Sequence, residues 1–115
     1  MNSLKPLNTN KISSLKLNNY VEVRVEYVDE IWYLNISQLN ANGCGYTLNG
    51  ALADLKESII GAYEIYIKDR KEEELSVKSM ELRNRLLSLI SEESYENALT
   101  EMKGSKFSDS KEAKK

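Results

Sequence analysis

The chain has 115 residues, 41% hydrophobic and 30% charged, with a net charge of −2 and a pI near 5.3. That length allows one small domain with a single core and excludes two, and the nearly balanced charge lacks the basic clustering of a nucleic-acid-binding domain, so a nucleic-acid partner is disfavoured. Histidine is absent and Cys44 is the lone cysteine, which removes the usual neutral-pH general base, any intramolecular disulfide and the tetrahedral zinc sites; neither catalysis, a metal nor a cofactor is expected.

Residues 1–19 are rich in Asn, Ser and Lys and contain Pro6, the sole proline. Such side chains compete for backbone hydrogen bonds and favour turns, so this stretch reads as a flexible polar leader. Leu15 and Leu17 alternate around Lys16 and are able to start an edge strand. Lys5, Lys11 and Lys16 with no acid among them offer a weak phosphate attraction, but a solvated leader accounts for them more simply. The sequence shows no charged segment leading into an apolar run of signal-peptide type and no run of the ~18 apolar residues that span a bilayer. A cytoplasmic protein without membrane contact is expected.

Residues 20–28 alternate strictly, with Val21, Val23, Val25 and Tyr27 on one face and Glu22, Arg24 and Glu26 on the other, which is the period of a half-buried strand. Asp29 and Glu30 make a short acidic turn. Residues 31–37 form a second strand, with Trp32, Leu34 and Ile36 on one face and Ile31, Tyr33 and Asn35 on the other, and the short connection predicts a hairpin. Gly43 and Gly45 offer positive φ or close backbone approach. The Gly-Cys-Gly run lacks the further glycines and the lysine of a phosphate loop, so a short third strand around Cys44 to Tyr46 explains it better. With no base to activate it, Cys44 is expected to be a small buried hydrophobe.

Thr47 is placed as an N-cap before a helical stripe of Leu48, Ala51, Leu52, Leu55, Ile59, Ala62, Tyr63 and Tyr66. This helix should pack on the valine face and end within the charged run 68–74. Leu75, Leu82, Leu86, Leu89 and Ile90 form a second stripe. Tyr95, Ala98, Leu99 and Met102 form a last short helix, with Ser91 and Ser94 as caps and a stop at Gly104. Residues 104–115 are polar and expected to be disordered.

The fold class expected is therefore α+β: a small antiparallel β-β-β-α two-layer unit over 20–74, followed by C-terminal helices over 75–103. Trp32, Tyr33 and Leu34, then Leu39, Gly43 and Cys44, then Gly45, Tyr46, Thr47 and Leu48, then Ala51, Leu52, Leu55, Lys56, Glu57, Ser58 and Ile59 together resemble the core of the HicB antitoxin family. The resemblance covers residues 21–67. It implies a relative of the double-stranded-RNA-binding fold that acts by binding, as an antitoxin masking a small ribonuclease toxin. Residues 75–103 show no helix-turn-helix or ribbon-helix-helix pattern, so the chain also fits an inhibitor repurposed by a mobile element against a nuclease or defence enzyme.

The function expected is a non-catalytic module that neutralises or regulates a partner protein. Candidate partner-binding residues are Glu22, Arg24, Glu26 and Tyr33 on the exposed strand face, and Leu82 and Leu86 on the following helix. The alternative is a structural protein that forms a homo-oligomer through its C-terminal helices. Glu22 and Glu26 as a catalytic carboxylate pair is a third reading, for which alternating charge on a strand is the simpler explanation.

Overall fold

A computed structural model describes residues 3–113. Four strands, β1 (Ser3–Ile12), β2 (Leu15–Val28), β3 (Ile31–Ile36) and β4 (Ala41–Gly45), form one antiparallel sheet in chain order. Three helices follow: α1 (Leu48–Tyr63), α2 (Val77–Leu89) and α3 (Glu92–Ala113). The fold is α+β.

The alternation of β2 resolves as read: Val21, Val23 and Val25 are buried, and Glu22, Arg24 and Glu26 between them are exposed. Val28 pairs with Ile31, and the turn between them places both Asp29 (φ 52°) and Glu30 (φ 65°) in the left-handed region. Two positive φ values in a two-residue loop match the right-handed twist of the flanking strands. β3 carries buried Leu34 and Ile36 inward and exposed Tyr33 outward. A 3₁₀ turn at Ser37–Leu39 buries Leu39 and ends on Asn40 at φ 50°, a conformation that asparagine tolerates.

Of the stretch 1–19 expected to be a flexible leader, residues 3–12 are instead β1, and Leu15 and Leu17 do start a strand, β2; residues 1–2 lie outside the described residues. Ile12, Leu15 and Leu17 are at most 2% exposed. Two breaks of register, between Leu4 and Leu7 and between Thr9 and Lys11, interrupt the period of two and so hide the strand from a pattern search. Pro6 lies in the first break on an edge strand, where its missing N–H is tolerated.

The short third strand expected near Cys44 is β4, beginning earlier, at Ala41. Its glycines are required by close approach alone, since neither has positive φ. A Cβ on Gly43 would lie within 2.4 Å of the Leu55 amide nitrogen and 2.5 Å of the Ala51 carbonyl oxygen, and one on Gly45 within 2.8 Å of the Ala51 nitrogen. The backbone of α1 therefore rests directly on β4. Thr47 caps the helix, its side-chain oxygen accepting the Gly50 N–H at 2.9 Å.

The helix buries Ala51, Leu55, Ile59, Ile60 and Tyr63, along with Lys56. Lys56 is not among the apolar residues of the predicted stripe; its Nζ donates to Ser14 Oγ at 3.1 Å, tying the β1–β2 turn to α1. Leu48, expected on the stripe, is 37% exposed. A π-helical turn, Glu64–Asp69, ends this run of helix. The chain then folds back: Leu86 and Ile90 from the α2 segment and Tyr95 and Ala98 from α3 join the sheet and α1 in one core. Ser91 caps α3, accepting the Ser94 N–H at 3.0 Å.

Helix α3 runs on to Ala113, past the expected stop at Gly104. Residues 104–113, expected to be disordered, are thus helical: Lys, Glu and Ala support helix and no proline intervenes. Residues 114–115 of that expected tail lie outside the described residues.

The seam between β4 and α1 gives a paired prediction. Gly43→Ala should lower the unfolding free energy by about 1–3 kcal/mol or more, the usual cost of overpacking. Gly61→Ala, where a Cβ meets nothing within 4 Å, should be stabilising by roughly 0.5–1 kcal/mol through helix propensity. Urea denaturation of both variants checks the contrast, and equal effects would mean the helix does not lie on β4 as described.

Candidate functional site

Every helix packs on the face of the sheet that carries the valines, so the other face of β2, β3 and β4 is bare. Register aligns its side chains in two rows: Glu26, Tyr33 and Cys44 in one, and Arg24, Asn35 and Asn42 in the next. Glu22 continues the β2 column, paired with Asn8 of β1. Tyr33 is 44% exposed. A groove runs over these rows, walled by Leu4 and Pro6 of β1 at one side and by Asp54 of α1 at the other.

The rows are held by short polar links. Asn35 Nδ2 donates to Asn42 Oδ1 at 2.8 Å, while Asn35 Oδ1 accepts from Ser37 Oγ at 3.2 Å. On the outer edge of β4, the Cys44 N–H donates to Asp54 Oδ2 at 2.9 Å and the Asn42 N–H to Ser58 Oγ at 3.3 Å. The ion pairs among the described residues, Lys68–Glu92 and Arg83–Glu72, involve none of Glu22, Arg24, Glu26 or Asp54. Among the described residues Glu22, Arg24 and Glu26 of the bare face thus make no ion pair, while Asp54 accepts the Cys44 N–H.

Four of the six candidate partner-binding residues, Glu22, Arg24, Glu26 and Tyr33, come together on this face. Leu82 and Leu86 do not. Leu86 is fully buried and Leu82 is partly buried against the core, because the α2 stripe closes over the chain's own sheet and helix; Leu86 is not available as a contact, and Leu82 lies away from the bare face. Cys44 is also corrected: it is exposed, because Ala41 and Gly43 take the inward positions of β4 and Cys44 alternates outward opposite Tyr33. Asn42, Cys44 and Asp54 were not read as site residues. The period-2 rule carried from Tyr33 across one more strand would have found the first two, while Asp54 reaches the site only through the packing of α1.

A second polar cluster lies between α1 and α3. The rings of Tyr63 and Tyr95 stack at 4.3 Å, and Tyr95 Oη donates to Glu64 Oε1 at 3.1 Å. Lys68 Nζ lies 5.8 Å from the centre of the Tyr95 ring and bonds Glu92 at 3.0 Å. That bond holds the Lys68 pKa above its ordinary value. Burial pushes the Tyr95 phenol up to about 12, assisted by its bond to Glu64, and burial raises Tyr63 as well. The cluster fastens the C-terminal helices to the π-helical turn.

Among the described residues no group of three His, Cys, Asp or Glu side chains is placed to hold a metal ion, and no helix is long and apolar enough to cross a membrane. Comparison with protein-family models, with curated proteins and with solved structures gives no match to this chain.

Two outcomes follow from this geometry. Cys44 should react with a small disulfide reagent in native buffer nearly as fast as a free thiol; strong protection relieved only by denaturant would place it inward. The raised Tyr95 pKa means that its contribution to stability is fully present below the ordinary value of 10.0 and is lost as pH rises from there through about 12. Tyr95→Phe, which removes the bond to Glu64, should cost about 1 kcal/mol at neutral pH and flatten that alkaline loss, as read by thermal unfolding across the pH range.

Proposed function

We propose that this chain is a small, non-catalytic protein-binding module that neutralises or regulates a partner protein by docking it on the bare face of the sheet. One observation carries the reading: all the helices lie on one face of the sheet, and the opposite face presents Glu22, Arg24, Glu26 and Tyr33 with no ion pair among the described residues. A sheet face of this size with aligned aromatic and charged side chains offers the polar rim and aromatic anchor on which protein interfaces rely.

The residue pattern over 21–67 that resembles the HicB core supports a more specific form of the proposal. The partner would be a small ribonuclease toxin or, if the core is a repurposed inhibitor from a mobile element, a nuclease or defence enzyme of the cytoplasm. The absence of histidine suits a protein that acts by occlusion. The competing reading, self-assembly through the C-terminal helices, rests on an apolar stripe of which Leu86 and Ile90 lie in the chain's own core.

The test is affinity capture of the tagged chain from its own cells, run in parallel with Glu22→Lys/Glu26→Lys and with Lys78→Glu on exposed α2. A single protein should co-purify in fixed ratio with the parent and the Lys78 variant. The double charge reversal should weaken its binding by at least about tenfold, equal to ~1.4 kcal/mol. Capture that survives the double reversal unchanged would remove the sheet face as the docking site, and recovery of the chain alone would favour self-assembly.

A further inference from the structure

The turn that joins β1 to β2, Ser13–Ser14, uses none of the residues of the docking face. Three amines surround it. Lys11 stands directly opposite Lys16 across the two strands; both are exposed, and like charges so placed repel. Lys56 reaches the same turn from α1. It is only 8% exposed, and its Nζ donates to Ser14 Oγ at 3.1 Å. A buried charge is costly without a counter-charge, yet Lys56 enters neither ion pair among the described residues. Residues 3–21 contain no Asp or Glu. Glu22 lies about 20 Å along β2 from Lys16, well beyond the ~8 Å screening length of physiological salt.

Alternating charge on a solvated strand accounts for Glu22, Arg24 and Glu26. It accounts neither for an amine set against an amine nor for a lysine buried without an acid, and these two features come from different elements and meet at one turn. We infer that the β1–β2 turn holds a phosphate group, received by Lys56 Nζ and the Ser14 hydroxyl and flanked by Lys11 and Lys16. Ser14 Oγ accepts from Lys56, which leaves its own hydrogen to donate to the anion. A phosphate brings several acceptor oxygens and full negative charge, so it supplies the counter-charge that Lys56 lacks and offsets the repulsion between Lys11 and Lys16. Lysines act as mobile point charges, so such a site recognises the phosphate and not what carries it. The carrier is a small molecule or the backbone of a nucleic acid.

The experiment is an NMR titration of the full chain with inorganic phosphate, with chloride and acetate at equal ionic strength as controls. Phosphate should give saturable shifts confined to the amides of residues 11–16 and the neighbourhood of Lys56, and the controls should not. Lys56→Gln should weaken binding by about tenfold, the worth of a hydrogen bond to a charged group. Lys16→Gln, at an exposed position, should weaken it by about threefold, and Lys78→Gln on α2 should leave it unchanged. Lys16→Glu turns the repulsion across the strands into attraction, so it should raise the thermal unfolding midpoint in phosphate-free buffer while abolishing the shifts. Equal response to chloride or acetate, unchanged affinity in both Gln variants, or a lowered midpoint in Lys16→Glu overturns the inference. Two further results support the site and separate its carriers. A short oligothymidylate that binds at these amides at least about tenfold more tightly than phosphate, with affinity falling as salt rises, assigns a nucleic-acid backbone; equal or weaker binding assigns a small molecule. Glu22→Lys/Glu26→Lys should bind phosphate no less tightly than the parent, so the docking face and the phosphate site stand or fall separately.

Discussion

Gly43 and Gly45 allow the backbone of α1 to lie directly on β4, and the rest of the molecule is arranged by that contact. With a side chain at either position the helix would be pushed off by the width of a methyl group, and Ala51, which is fully buried against this strand, would lose its place. Because the helix is held so close, Asp54 and Ser58 reach around the outside of β4 to its free N–H groups. The same contact aims Leu55, Ile59 and Ile60 at the inner face of β2 and β3, where the valines meet them. The later helices then cover what α1 leaves open, with Leu86, Ile90, Tyr95 and Ala98 completing one core.

Much of this order is visible in the residues themselves. Val21, Val23 and Val25 alternate with charges over a long enough run to define β2 and its buried side, and Thr47 followed by Ala51, Leu55 and Ile59 defines both the start and the face of α1. Where local pattern and tertiary packing agree, the reading holds. β1 escapes because its two register breaks spoil the alternation that marks a strand, and because Asn, Ser and Pro weaken the strand signal further. The outward position of Cys44 escapes for another reason: in a strand as short as β4, with two glycines, no side-chain contrast reveals the phase, and only pairing with Tyr33 sets it. Leu86 was legible as apolar and helical, yet whether such a stripe covers its own domain or another molecule depends on how much bare core remains beside it.

The candidate site shows the same division. Glu22, Arg24, Glu26 and Tyr33 follow from the alternation of two adjacent strands. The far wall of the groove, Asp54, lies on a helix whose packing side places it near the β4 edge, and no periodicity in the strands announces it. The face thus joins a part written in strand alternation to a part written in helix packing.

Both borders of the sheet are shielded in different ways. On β4 the outward N–H groups of Asn42 and Cys44 are already taken by side chains of α1. On β1 a proline and two register breaks, with Lys5 and Lys11 nearby, make a poor template for another strand. A face left open and borders that are closed are separate requirements, and a bare sheet needs the second to stay monomeric. Without the shielding, free molecules would be exposed to strand-by-strand polymerisation; with it, a chain can leave one whole face of its sheet uncovered and remain dispersed.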